Sequence, residues 1–192
     1  MRVFLNAALI ALCVSLNGCV TVLDATNDGP IDPNPGKRNL GQYFSDENLE
    51  TIIAVNLRKA GPDLEESHIN VKCFNDVVLL TGEVASSELR QLASEIARDI
   101  KQVRQVHNEL IVQSNSTFFS RANDNWLATK VRSKLIGNRD VDAERVKVIV
   151  ENRVVYLMGL MDRKEANIVS HVAASVDGVE KVVRVFEYIE RD

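Results

Sequence analysis

One arrangement of apolar and polar positions occurs twice in the chain. In the first copy Ile69, Val71 and Cys73 alternate with Asn70 and Lys72, Asn75-Asp76 follows, and Val77–Leu80 leads to Gly82. In the second, Val146, Val148 and Val150 alternate with mostly polar residues, Asn152-Arg153 follows, and Val154–Met158 leads to Gly159. Alternation, an Asn-led dipeptide and a resumed β-branched run predict a β-hairpin with a tight turn. The two copies stand at a constant offset, which predicts a duplicated unit. Gly82 and Gly159 read as backbone punctuation at strand ends.

Each hairpin is flanked by the same elements. Upstream, Leu49, Ile53 and Leu57 recur at helical spacing, and so do Leu127, Val131 and Leu135. Ser45-Asp46 and Asn123-Asp124 offer helix N-caps. Downstream, Glu88–Ile100 and Arg163–Val176 are helical in pattern. Their core faces are Leu89, Leu92 (or Ala93), Ile96 and Ile100, and Ala166, Val169 (or Ser170), Val172 (or Ala173) and Val176. The β-rich stretches Val103–Val112 and Val179–Ile189 follow. Asp177-Gly178 is a good helix stop, whereas the first copy has only Lys101-Gln102. The expected fold class is α+β: two tandem αββαβ units, each a three-stranded mixed sheet packed by two helices. The units are expected at 45–113 and 123–192, joined by a linker at 114–122.

The start of the chain differs. Arg2 precedes a nearly continuous apolar run, Val3–Leu16, too short for a comfortable membrane span but suited to a signal peptide at 1–18. The run ends in Leu16-Asn17-Gly18-Cys19, which resembles a bacterial lipobox with Asn17 where a smaller residue is usual. An acylated Cys19 would then begin the mature protein. Val20 stands where an inner-membrane retention signal would show Asp, so the resemblance favours the outer membrane. Residues 19–44 carry Asp28-Gly29-Pro30, Pro33, Pro35-Gly36 and Gly41 and are expected to form a flexible tether. Phe118-Phe119 is unusual for a solvated linker, and packing onto a domain is the simpler reading.

Little in the sequence suggests chemistry. His68, His107 and His171 have no partner at metal-ligand spacing, so no metal site is expected. There is no phosphate-binding glycine loop and no Gly-x-Ser-x-Gly elbow. No cofactor and no catalytic residue are expected, and the chain reads as a non-enzymatic binding module. A formal net charge of −4 over 192 residues argues against general nucleic-acid binding. Cys73 alternates with core residues opposite Val150 in the other copy, so it reads as a small buried hydrophobe.

The duplicated αββαβ unit, the glycine after the second strand and Asp177-Gly178-Val179 before the third strand resemble the BON domain. Two such units behind a lipobox resemble the dual-BON outer-membrane lipoproteins. The most specific stretch is Asn123-Asp124-Asn125-Trp126-Leu127-Ala128-Thr129-Lys130-Val131-Arg132-Ser133-Lys134-Leu135, which resembles the start of their second BON domain. Val155-Tyr156-Leu157-Met158-Gly159-Leu160 resembles its hairpin. The resemblance implies a palmitate-bearing lipoprotein of the outer membrane, facing the periplasm, that maintains envelope integrity. It implies binding of anionic phospholipid, such as phosphatidylglycerol, through the first helix of the second domain, at Trp126, Lys130, Ser133 and Lys134. It also implies association with the division site and with outer-membrane assembly machinery.

Comparing the two first helices supports part of this independently. Trp126 falls on Asn48, Lys130 on Ile52 and Lys134 on Asn56. The second helix thus carries a tryptophan and a cationic set, Lys130, Arg132 and Lys134, that the fold does not require. Tryptophan with lysines on a surface helix suits a headgroup interface. The alternatives are a tryptophan filling a gap between domains, a protein–protein adaptor, and an envelope enzyme of unrecognised type.

Overall fold

The computed structural model describes residues 40–190. Helix α1 (Leu40–Lys59) and the short α2 (Pro62–Glu66) lead into strands β1 (His68–Phe74) and β2 (Val77–Val84). Helix α3 (Ser87–Arg98) crosses to β3 (Gln105–Asn108) and β4 (Ile111–Val112). The second repeat follows as α4 (Phe118–Ile136), a 3-10 turn at Ala143–Arg145, β5 (Val146–Glu151), β6 (Val154–Met161), α5 (Arg163–Ala174) and β7 (Lys181–Tyr188). Each repeat is therefore the mixed sheet expected. β1 and β5 run antiparallel to β2 and β6, and β3, β4 and β7 run parallel to them. The third strand of the first repeat is broken at Glu109-Leu110, where Leu110 turns into the core and its N–H donates to Asn108 Oδ1 at 3.1 Å.

Both hairpin turns are as the Asn-led dipeptides predict. Asn75, Asp76, Asn152 and Arg153 all have φ between 49° and 63°, the left-handed pair of a two-residue turn that matches strand twist. The two glycines have a different role from punctuation. Gly82 and Gly159 lie inside β2 and β6. A Cβ on Gly82 would stand 2.0 Å from the His68 carbonyl, and one on Gly159 would stand 2.6 Å from that of Arg145. Their absent side chains let the entry of the neighbouring strand cross close by.

The expected core faces are largely observed. Leu49, Ile53, Leu57, Leu127, Val131 and Leu135 are buried. On α3 Ala93 is buried while Leu92 is 38% exposed, so the alternative at that position holds. The N-cap expectation is corrected. α1 begins at Leu40 and α4 at Phe118, so Asp46 and Asp124 lie within helices rather than before them. The cap of α4 is Thr117, whose hydroxyl accepts the Ser120 N–H. Residues 40–44 of the expected tether and 118–122 of the expected linker are thus helical; Cys19 and the rest of the tether lie outside the described residues.

The open faces of the two sheets bury each other. Phe74, Val77 and Leu79 of the first sheet cluster with Ile149, Tyr156, Met158 and Val185 of the second. This explains why β2 is buried along its whole length, one face under helices and one under the other sheet. Polar contacts rim this seam. Arg104 Nη2 donates to Glu187 Oε1 at 2.6 Å, Asn75 Nδ2 to Glu187 Oε2 at 2.9 Å, and Asn152 Nδ2 to Glu83 Oε1 at 2.6 Å.

Candidate functional site

The exposed ridge of α4 is set by its helical spacing. Leu127, Val131 and Leu135 point into the core. On the outer side stand Phe119 at 83%, Trp126 at 64% and Ile136 at 73% exposure. Phe119, Trp126 and Ser133 repeat every seven residues, nearly two turns, and so share a stripe. Ser133 is exposed on it. Phe118 packs edge-on against Phe119, with ring centroids 6.0 Å apart. The expectation that this pair packs onto a domain is not met: Phe118 is 72% exposed.

The cations of this helix divide into two groups. Lys130 Nζ donates to the Asp177 carbonyl at 2.7 Å and Lys134 Nζ to that of Ser175 at 2.9 Å. Both lysines thus lie against the C-terminal end of α5, where unpaired carbonyls and the helix dipole favour positive charge. Arg132 turns the other way and donates to the Val148 carbonyl at 2.8 Å, so it leaves the set of three that the sequence suggested.

Trp126 and Lys130 line a shallow cleft of about 360 Å³ with Asn123, Leu127, Arg153, Asp177 and Gly178. Arg153 is held there by Glu180 at 2.6 Å and by the Gly178 carbonyl. Sequence reasoning missed Arg153 because the hairpin turn explained it already. Asp177 and Gly178 were explained by the helix stop. The cleft therefore presents an indole and two cationic side chains beside an open surface, chemistry suited to a phosphate group at an apolar boundary.

A second cluster lies at the seam between the repeats. His68 Nδ1 stands 2.8 Å from Glu83 Oε2 and 3.8 Å from Glu151 Oε1. Burial pushes the Glu83 carboxyl up, but hydrogen bonds from Asn152, His68 and the Ser116 N–H together hold it below the usual carboxylate range. Burial, with the Glu83 carboxylate adding to it, pushes Glu151 up to about 7 despite the opposing pull of His68. These are the described side chains that could hold a metal. Local spacing gave no hint of them, because they come from three strands in two repeats.

The BON domain model matches residues 45–114 and again 123–190. The chain belongs to the BON family. Among BON relatives, the outer membrane lipoprotein DolP of Haemophilus influenzae is 32% identical over 184 residues, covering 96% of this chain and 95% of that protein. A 21 kDa hemolysin of Actinobacillus pleuropneumoniae is 35% identical over 161 residues, covering 84% and 81%. Osmotically-inducible protein Y of Escherichia coli is 28% identical over 123 residues, covering 62% and 61%. The two BON matches coincide with the two repeats, so the family accounts for nearly all of the described structure. Among the described residues no helix is long and apolar enough to cross a membrane.

Proposed function

We propose that this BON protein is a non-enzymatic outer-membrane lipoprotein, anchored through acylated Cys19, whose α4 ridge rests on anionic phospholipid. The observation that carries the reading is the exposed indole of Trp126 beside Lys130 and Lys134, at a place where the first repeat has Asn48, Ile52 and Asn56. Phe118, Phe119 and Ile136 extend the apolar ridge along the helix. Ring systems at that boundary enter the interfacial zone while lysines reach phosphates, each cation near such a surface contributing about 1 kcal/mol. That the H. influenzae relative is named an outer membrane lipoprotein supports the outer-membrane location. Maintenance of envelope integrity and enrichment at the division site belong to the same reading on resemblance alone, and an adaptor docking on outer-membrane assembly or division machinery is the alternative to it.

Liposome flotation of protein made without residues 1–19 tests it. Wild type should float with vesicles containing phosphatidylglycerol and stay behind with neutral ones. Trp126→Glu should abolish flotation, and Asn48→Glu, at the equivalent place in the first repeat, should not. If folded Trp126→Glu floats like wild type, the surface is wrongly assigned and the adaptor reading takes its place.

A further inference from the structure

Because the two repeats align position for position, each is a control for the other. His68 stands where the second repeat has Arg145, Glu83 where it has Leu160, and Glu151 where the first has Phe74. The fold therefore requires none of the three. All three nevertheless meet at the seam, with one donor atom from each within 4.8 Å of the others.

We propose that His68, Glu83 and Glu151 form a binding site for a first-row divalent cation of the zinc type, which ties the two repeats together. One imidazole with two carboxylates suits such ions, whereas calcium and magnesium take oxygen ligands. Ligands of a tetrahedral zinc at about 2.1 Å stand about 3.4 Å from one another. The observed 2.8 Å and 3.8 Å separations need only small side-chain rotations to reach that. His68 would turn the Nδ1 lone pair to the ion and keep its proton on Nε2. Gly82, which leaves room beside the His68 carbonyl and ring, lets the imidazole lie against β2.

Two buried hydroxyls belong to the same side of the seam. The Thr81 hydroxyl is fully buried and has no hydrogen-bond partner. Thr81 precedes Glu83 by two residues in β2 and so faces the same side. The Ser116 hydroxyl is also buried without a partner, while its own N–H donates to Glu83 Oε2 at 3.2 Å. Buried hydroxyls are ordinarily paired, and a hydrated ion at Glu83 would bring water to both. The charge balance agrees. Glu83 and Glu151 are nearly or fully buried; Glu83 and Asp124 add to the negative field at Glu151, and the part-exposed His68 and Arg121 oppose it.

The test is calorimetric titration of the full-length protein, extracted in detergent and stripped with a chelator, using zinc chloride and, in parallel, calcium chloride. The expected result is one equivalent of zinc bound, no calcium bound, and a thermal transition raised by saturating zinc. Glu151→Gln and His68→Gln should each weaken zinc binding more than about tenfold. Glu95→Gln, an exposed carboxylate elsewhere, should leave it unchanged. Absence of zinc uptake, or binding unaffected by the two ligand variants, overturns the site. If circular dichroism shows a variant unfolded, cobalt decides on wild type alone. Intense visible bands that zinc bleaches support the site, and their absence overturns it.

Discussion

Asp46 Oδ2 accepts the Asn75 N–H at 3.0 Å, and its Oδ1 accepts the next N–H, that of Asp76, at 3.0 Å. Asp124 repeats the arrangement on Asn152 at 2.8 Å and Arg153 at 2.9 Å. Both carboxylates are buried within helices. A helix thus holds its own repeat's hairpin turn in place by a forked, charge-assisted pair.

Removing the fork should therefore be costly. Asp124→Ala leaves two turn N–H groups without their carboxylate, and a hydrogen bond to a charged group contributes about 1.5–3 kcal/mol. A loss of about 2–4 kcal/mol is expected, read as a lower urea midpoint with unchanged slope. Asp124→Asn, which keeps the shape but accepts with one oxygen only, should cost less. Equal midpoints for Asp124→Ala and wild type would refute the role.

Cys73 should tolerate replacement. Its thiol is buried and donates to Asp46 Oδ1 at 3.3 Å, and burial followed by the Asp46 carboxylate pushes its pKa far up, so it is an inert neutral thiol. The second repeat has Val150 at the equivalent position. Cys73→Val should change stability by less than about 1.5 kcal/mol. Thiol reagents should label the native protein much more slowly than the unfolded one.

The fold was legible because it is written in local periodicity. The hairpin turns, strand alternation and helix faces each need only neighbouring residues, and the duplication doubled the signal. Asp46 and Asp124 were misplaced because Asp ahead of an apolar helix reads as an N-cap, while their tertiary role needs the hairpin folded back. The ridge was half legible. Trp126 against Asn48 marked it, but the bonds that turn Lys130 and Lys134 toward α5 and Arg132 toward β5 depend on tertiary neighbours. The seam was not legible at all. Leu79 and Met158 belong to runs buried on both faces, and such runs do not say what covers the second face.

The seam should couple the repeats. Leu79 is fully buried among Phe74, Val77, Tyr156 and Met158. Leu79→Ala is expected to cost about 2–5 kcal/mol as a core truncation. Leu79→Asp places an unpaired charge between the sheets and should split one thermal transition into two. Differential scanning calorimetry distinguishes these outcomes. A wild type that already melts in two steps would show that the seam does not couple them.

His107 supplies a pH dependence with a definite sign. Burial lowers its pKa below the ordinary histidine value of 6.5, against a smaller upward pull from Glu109. The unfolded chain then binds the proton more readily, so this contribution to stability is complete above about 6.5 and is lost as pH falls below it. Glu151 acts in the opposite sense, losing stability as pH rises from the usual carboxylate range through about 7. The informative quantity is the difference between His107→Gln and wild type at each pH. Wild type should lose more than the variant between neutral pH and the region below 6.5, as measured by urea midpoints.

The ridge makes a last prediction that separates contact from folding. Phe119 and Trp126 are 83% and 64% exposed, so neither contributes much to the core. Phe119→Ser should leave the unfolding free energy within about 0.5 kcal/mol of wild type, as for other surface changes. It should still weaken flotation with anionic vesicles, because the ring adds apolar area at the boundary. Lys130 behaves differently, since its Nζ also donates to the Asp177 carbonyl. Lys130→Met keeps the stem but loses that bond and the charge at the end of α5. It should cost about 0.5–1 kcal/mol of stability and weaken flotation as well. Raised salt should weaken wild-type flotation and affect Lys130→Met less, because one screened attraction has already been removed. If Phe119→Ser lowers stability substantially instead, the aromatic pair is part of the fold and its place on the proposed lipid-facing ridge is lost.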